Sequence, residues 1–127
     1  MENCIFCKII DRKIPGNIID EDDDLIVFIS LENHPLIVPK KHIQDIFNMD
    51  ESIASLIMKK AVKIARATKE ALGSDGIYIA QANGEAAGQD VFHYHLHVYP
   101  RWDDKRNMQV DPESKKQVLE KIRAKLI

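Results

Sequence analysis

The stretch His93-Tyr94-His95-Leu96-His97-Val98-Tyr99 decides how the rest of the chain is read. Three of the five histidines fall here, each separated by one residue. In an extended strand, successive side chains point to opposite faces. The three imidazoles therefore share one face, with neighbours roughly 6–7 Å apart. Phe92, Tyr94, Leu96 and Val98 turn the other way, towards a core. Histidine alone changes charge near neutrality without being perturbed, so a row of three marks a site. Three imidazoles that are merely buried and hydrogen-bonded are the plainer alternative. Each, however, must find partners or cost about 1–3 kcal/mol.

Outward from this row, the 127 residues suffice for one domain with one core. Apolar residues make up 45% and charged residues 30%, the composition of a soluble globular protein. A net charge of −2 supplies no basic field for nucleic acid or an anionic membrane. No apolar run approaches the roughly 18 residues of a membrane span. The opening residues lack the basic and apolar segments of a signal peptide, so a cytoplasmic protein is expected. Its only cysteines, Cys4 and Cys7, are too few for a disulfide framework. Their Cys-x-x-Cys spacing leaves three readings: a redox pair, two incidental thiols, or half of a tetrahedral zinc site.

Along the chain, an apolar segment (Ile5-Phe6, Ile9-Ile10) precedes a turn at Pro15-Gly16. Strands are expected at 18–21, 25–29 and 36–38, with the acidic run 21–24 as a solvated hairpin tip. A long helix is predicted over 51–72, with Asp50 as N-cap and Gly73 as its stop. Its stripe is Ile53, Leu56, Ile57, Ala61, Ile64, Ala65, Thr68 and Leu72; Lys59, Lys60, Lys63, Arg66 and Lys69 decorate a solvated face. A strand at 77–80 leads to the small-residue loop 83–89 and then to the histidine strand, drawn as 92–99. A last helix is expected to start with Asp111 as N-cap and Pro112 at its first position. The fold class is α+β: an antiparallel sheet of about five strands, one long helix packed on it, and a C-terminal helix.

The loop before the histidines consists of residues that let backbone N–H groups approach an anion. Two chemistries fit a His-x-His-x-His row beside such a loop. One is a catalytic metal with an open position. The other is covalent catalysis by a neutral imidazole at phosphorus. Spacing does not separate them, although the glycine loop favours phosphate.

The row also fits the His-φ-His-φ-His-φ-φ pattern, where φ is apolar, and the chain resembles the histidine triad superfamily of nucleotide hydrolases and transferases. Cys4 to Ile10 is similar to the start of bacterial-type members, and His34 to His42 to the family's second strand segment. Asn83-Gly84, Ala87-Gly88-Gln89 and Pro100-Arg101 also fit. The likeness covers about residues 4–102 of a single domain (1–127), leaving 103–127 as an extension with the last helix. It implies that His95 attacks the α-phosphorus of a nucleotide, forming a nucleotidyl-histidine that water releases as nucleoside monophosphate. His97 would contact the phosphate, and His93 and His34 would support the neighbouring imidazoles. Gln89 and the backbone around Val91 would hold phosphate oxygens or the leaving group. Ile5, Phe6, Ile9 and Phe28 would line a slot for a purine base. Cys4, Cys7, His42 and His93 would hold a structural zinc, with no catalytic metal expected, in a homodimer of the family's kind.

Three departures from the family pattern stand out. The loop after Phe28 is about four residues shorter than usual, and Ser30 falls where an Asp binds the ribose, with Glu32 nearby as a substitute. Asp90 replaces a phosphate-contacting Ser or Thr. Ala82 stands in a polar position, leaving Asn83 or Gln81 to compensate. The expected activity is cleavage at the α-phosphate of a nucleoside phosphoramidate or a dinucleoside polyphosphate. A nucleotide-binding regulatory module with little turnover, and a metal-dependent hydrolase using the histidines as ligands, are the alternatives.

Overall fold

The computed structural model describes residues 3–105 and 112–126. A six-residue helix α1 (Ile5–Ile10) opens it, with the Cys4 sulfur accepting from the Cys7 N–H at 3.3 Å. Strands β1 (Ile18–Glu21) and β2 (Leu25–Ile29) form a hairpin. Its acidic tip closes on Asp22, whose carboxylate accepts from the N–H groups of Asp24 and Leu25 at 2.9 Å each. Strand β3 (Pro35–Pro39) follows, then the long helix α2 (Glu51–Leu72), β4 (Gly76–Ala80), β5 (Leu96–Arg101) and α3 (Pro112–Ala124). The sheet order is β1-β2-β3-β5-β4, and each neighbouring pair is antiparallel. The expected α+β architecture is thus the observed one.

Helix α2 has the boundaries its sequence signals. The Asp50 carboxylate accepts from the Ile53 N–H at 2.8 Å, and Gly73 stops the helix at φ 61. A left-handed C-cap of this kind suits glycine, which has no Cβ to clash. The stripe residues Ile57, Ala61 and Ile64 are buried against Val27, Ile37, Leu96 and Val98 of the sheet, joined by Val118 and Ile122 of α3. Lys60 is not part of a solvated face. Its ammonium sits 2.6 Å from Asp20 and 3.0 Å from Asp22, tying the helix to the hairpin. The Asp111 cap expected for α3 lies outside the described residues.

Both faces of the sheet are covered, so β2 and β3 are buried along their whole length. On the second face, Ile26, Phe28, Leu36 and Val38 pack against Phe6 and Ile9 of α1. Register then decides which way the histidines look. Leu36 is the cross-strand partner of His97, and directly opposed residues share a face. His97 therefore lies on the α1 side.

The histidine strand needs correcting at both ends. It runs from Leu96 to Arg101 rather than from Phe92 to Tyr99. Before Leu96 the chain has left the ladder: the Tyr94 N–H donates to Ile43 O in a loop, at 2.7 Å. Pro100, expected to end the strand, lies inside it opposite Ile77. Phe92, expected in the core, is 44% exposed.

Candidate functional site

Five elements converge on the α1 side of the sheet: α1, β2, the loop 30–34, the segment 89–97 and the first turns of α3. They enclose a cavity of about 310 Å³. Ile5, Phe6, Ile9 and Phe28 line it together with His95, His97, Asp90 and Val91. Ser30, Glu32 and Lys115 stand along an edge. A larger hollow of about 530 Å³ lies beside Cys4 and His42 and contains neither His95 nor His97. The smaller cavity is therefore where the histidine row can meet a ligand, and an apolar volume with a few polar groups is the usual form of a small-molecule site.

Phe6 touches both the apolar residues and the histidine row. Its ring meets Phe28 edge-on at 5.3 Å and His95 at 5.0 Å. The His95 Nδ1 lies 2.8 Å from the His93 carbonyl. A carbonyl only accepts, so Nδ1 carries the proton and the Nε2 lone pair is left exposed to attack an electrophile. The support that His93 gives is thus through its backbone, since its ring is occupied elsewhere. His34 Nε2 lies 2.9 Å from His97 Nδ1, and His34 Nδ1 lies 3.0 Å from Ser30 Oγ.

Burial, followed by the neighbouring histidine His97, pushes the His34 pKa down to about 3. Burial, then His95, pushes His97 down to about 4. Both rings are therefore neutral at pH 7. Tyr99 continues the same face: its ring is within 6° of parallel to His97 at 5.1 Å and lies 4.0 Å from His34. The Arg101 guanidinium caps Tyr99 at 4.7 Å, and Tyr78 of β4 stacks beside it at 5.6 Å. Asp90 Oδ1 is 3.8 Å from His95 Nε2, on a side chain that is 85% exposed.

Four N–H groups of the loop before the histidines are engaged within the loop itself. The Gly84 N–H donates to Gln89 Oε1 at 2.7 Å, and the N–H groups of Ala87, Gly88 and Gln89 all bond to carbonyls within the loop. Gln89 itself is buried, its amide donating to Gln44 O at 2.8 Å and Val91 O at 3.2 Å. Its polar atoms thus shape the loop rather than face the cavity. Asn83 likewise lies off the cavity, its Oδ1 accepting from the Ile46 N–H at 2.7 Å. Ser30 borders the cavity, yet its oxygen also accepts from the N–H groups of Glu32 and His34. Lys115 was not singled out in the sequence; no motif marks it, because only the packing of α3 brings it there. Tyr99 could have been found by carrying the alternation of His93, His95 and His97 one step further.

Cys4, Cys7, His42 and His93 come together as the resemblance implied, with one ligand atom from each within 4.8 Å of the others. Cys4 Sγ lies 3.3 Å from His93 Nδ1, and Cys7 Sγ 3.3 Å from His42 Nδ1 and 3.5 Å from His93 Nδ1. In a tetrahedron with metal–N and metal–S bonds of about 2.0 and 2.3 Å, that edge is about 3.5 Å. The His93 ring is prepared for a metal. Its Nε2 donates to Pro39 O at 2.7 Å, which leaves Nδ1 bare and aimed at the sulfurs. Burial, together with Cys4, pushes the Cys7 thiol up to about 11. A raised thiol pKa is the reverse of what a redox dithiol needs.

The HIT domain model matches residues 11–104. Protein hit of Bacillus subtilis is 39% identical over 105 residues, which span 80% of this chain and 72% of that protein. Adenylylsulfatase HINT3 of Arabidopsis thaliana is 35% identical over 103 residues, covering 78% of this chain and 52% of the plant protein. The crystal structure of a zinc-bound histidine triad family protein from Mycobacterium smegmatis superposes with a TM-score of 0.89 at 34% identity, covering 98% of this chain and 94% of that one.

Proposed function

The chain belongs to the HIT domain family, and from that premise we propose that it is a nucleotide hydrolase acting through a nucleotidyl-histidine. The purine base lies between Phe6, Ile9 and Phe28, and the α-phosphate lies at the histidine end of the cavity. The observation that carries this reading is the His95 ring: Nδ1 is held by the His93 carbonyl, and Nε2 is a bare nucleophile on the cavity side.

The Nε2 lone pair forms the bond to the α-phosphorus. The bond from phosphorus to the leaving amine or phosphate breaks with its electron pair, and the leaving group takes up a proton. Water then attacks the phosphorus, the Nε2–P bond breaks and the nucleoside monophosphate departs. His97 contacts the phosphate. Substrates are nucleoside phosphoramidates or dinucleoside polyphosphates; the plant relative, an adenylylsulfatase, likewise acts on an adenylyl compound.

Cys4, Cys7, His42 and His93 hold a structural zinc, whose charge would keep both sulfurs as thiolates. It fastens α1 beside the site and takes no part in the reaction. A homodimer is supported by the apolar edge strand β4, where Tyr78 is 54% and Ile79 40% exposed. We place the protein in the cytoplasm, where the cysteines stay reduced.

A binding module with little turnover is the second reading, favoured by the Asp90 carboxylate 3.8 Å from the nucleophile, where it opposes an anionic phosphate. One experiment decides between them: AMP release from adenosine 5′-phosphoramidate, with intact-mass analysis of the acid-quenched protein. Wild type is expected to turn over and to carry an adenylyl adduct. His95→Ala is expected to lose activity by about 10³-fold or more and to lose the adduct. AMP binding without turnover in the wild type would establish the module instead.

A further inference from the structure

Ser30 falls where the family pattern has a ribose-binding carboxylate, but its hydroxyl is engaged in a different direction. Its oxygen accepts from the Glu32 N–H at 3.1 Å and from the His34 N–H at 3.2 Å. A serine hydroxyl has two lone pairs and one proton. With both lone pairs occupied, the third neighbour, His34 Nδ1 at 3.0 Å, receives the proton. His34 Nδ1 is then the bare nitrogen, and its ring proton sits on Nε2. That proton faces His97 Nδ1 at 2.9 Å. His97 Nδ1 in turn accepts, so the proton of His97 stands on Nε2.

We propose that Ser30 is a positioning residue that fixes the tautomers of His34 and His97, so that His97 presents an Nε2–H donor to the phosphate in the cavity. The hydrogen bonds run one way, from Ser30 O–H to His34 Nδ1 and from His34 Nε2–H to His97 Nδ1. The last link, to phosphate, rests on the nucleotide reading given above.

The surroundings hold this direction in place. The shortened loop closes on itself, with Ser30 N–H donating to His34 O at 2.8 Å and Asn33 N–H to Ser30 O at 3.1 Å, and Asn33 takes a left-handed φ of 72. Asn33 Nδ2 donates to Ser114 Oγ of α3 at 2.8 Å, fastening the loop from outside. Ser30 is 8% and His34 2% exposed, so bulk water does not reach in to reverse the bonds. Burial also keeps both rings neutral, as a relay of single protons requires. A carboxylate at position 30 would act in the opposite sense. It has no proton to give at pH 7, so it would draw the His34 proton to Nδ1 and turn the chain around.

Nitrogen-15 NMR of the histidine rings tests this directly, because protonated and bare ring nitrogens resonate at well separated frequencies. The resting wild-type protein is expected to show His34 and His97 both protonated at Nε2 and bare at Nδ1. Ser30→Thr keeps the hydroxyl and is expected to keep both tautomers. Ser30→Ala is expected to give mixed tautomers and a kcat about 10-fold lower with KM unchanged. A wild-type spectrum with the proton on His34 Nδ1 overturns the proposal whatever the turnover, as do unchanged tautomers in Ser30→Ala. A wild type that shows the relay yet releases no AMP overturns the hydrolase reading and leaves the tautomer assignment standing.

Discussion

Removing the metal should loosen one wall of the cavity beside His95 and leave the other standing. Helix α1 has six residues, well short of the roughly 12–15 at which isolated helices become even marginal in water. Ordering six backbone residues costs about 6–12 kcal/mol. Against this, the helix buries two large side chains, Phe6 and Ile9, at 7% and 8% exposure. Their burial contributes about 3–6 kcal/mol, so packing alone leaves α1 close to balance or short of it. A Cys2His2 zinc site contributes about 10–16 kcal/mol in small peptides, enough to decide the outcome. Two of its ligands, Cys4 and Cys7, cap and belong to the helix.

Amide hydrogen exchange read by mass spectrometry on zinc-loaded and stripped protein measures the effect. Peptides covering 5–10 should lose protection by about 100-fold or more, while those covering β2, β3 and β5 change little. Because Ile5, Phe6 and Ile9 wall the cavity, AMP affinity should fall by about 10-fold or more in parallel. Undiminished protection of 5–10 in protein shown by metal analysis to be stripped would refute the reasoning, as α1 would then be held by packing alone.

Two further expectations concern charge. Lys115 lines the cavity together with two carboxylates, Glu32 and Asp90, and His97 there is neutral. Lys115→Ala should therefore weaken AMP binding by about 10-fold in calorimetry, yet leave adenosine binding unaltered; equal losses for both would mean that the lysine only packs. Acid should destabilise the fold through His34 and His97. Their folded pKa values, about 3 and about 4, lie below the ordinary 6.5, so below pH 6.5 the unfolded chain binds more protons than the folded one. The stability they contribute is fully present above pH 6.5 and is lost on acidification, at up to about 1.4 kcal/mol per pH unit for each ring. Urea midpoints at pH 7.5, 6.5 and 5.5 should fall in that order, and a rise on acidification would contradict the burial of these rings.

The elements that declare themselves locally were legible in the sequence. Helix α2 has a side-chain cap, a left-handed glycine stop and an unbroken stripe between them, and strands β1 and β2 are short apolar runs on either side of an acidic turn. The four metal ligands were legible only through the family resemblance, because the Cys4–Cys7 spacing by itself left three readings open and did not point to His42 or His93. What escaped was whatever depends on a partner distant in the chain. The start of β5 was misplaced because alternation persists through His93 and His95, while Tyr94 pairs with Ile43 rather than with a strand. The internal bonds of loop 83–89 were likewise not legible, since small residues that free a backbone for a ligand also free it to bond to itself. Ser30 could be read only by homologous position. Its two backbone donors are created by the fold of the short loop, not by any pattern of residues.

The stacked rings beside His95 have a consequence for entropy. His34, His97, Tyr99 and Tyr78 lie ring against ring, with Arg101 over the end of the column. Each side chain frozen during a binding event subtracts about 0.5–1.5 kcal/mol from affinity. Here those rotations were surrendered when the sheet closed, before any ligand arrived. A ligand entering the cavity meets imidazoles already at rest, and on the nucleotide reading proposed above the binding free energy that would have ordered them stays available to hold the transition state.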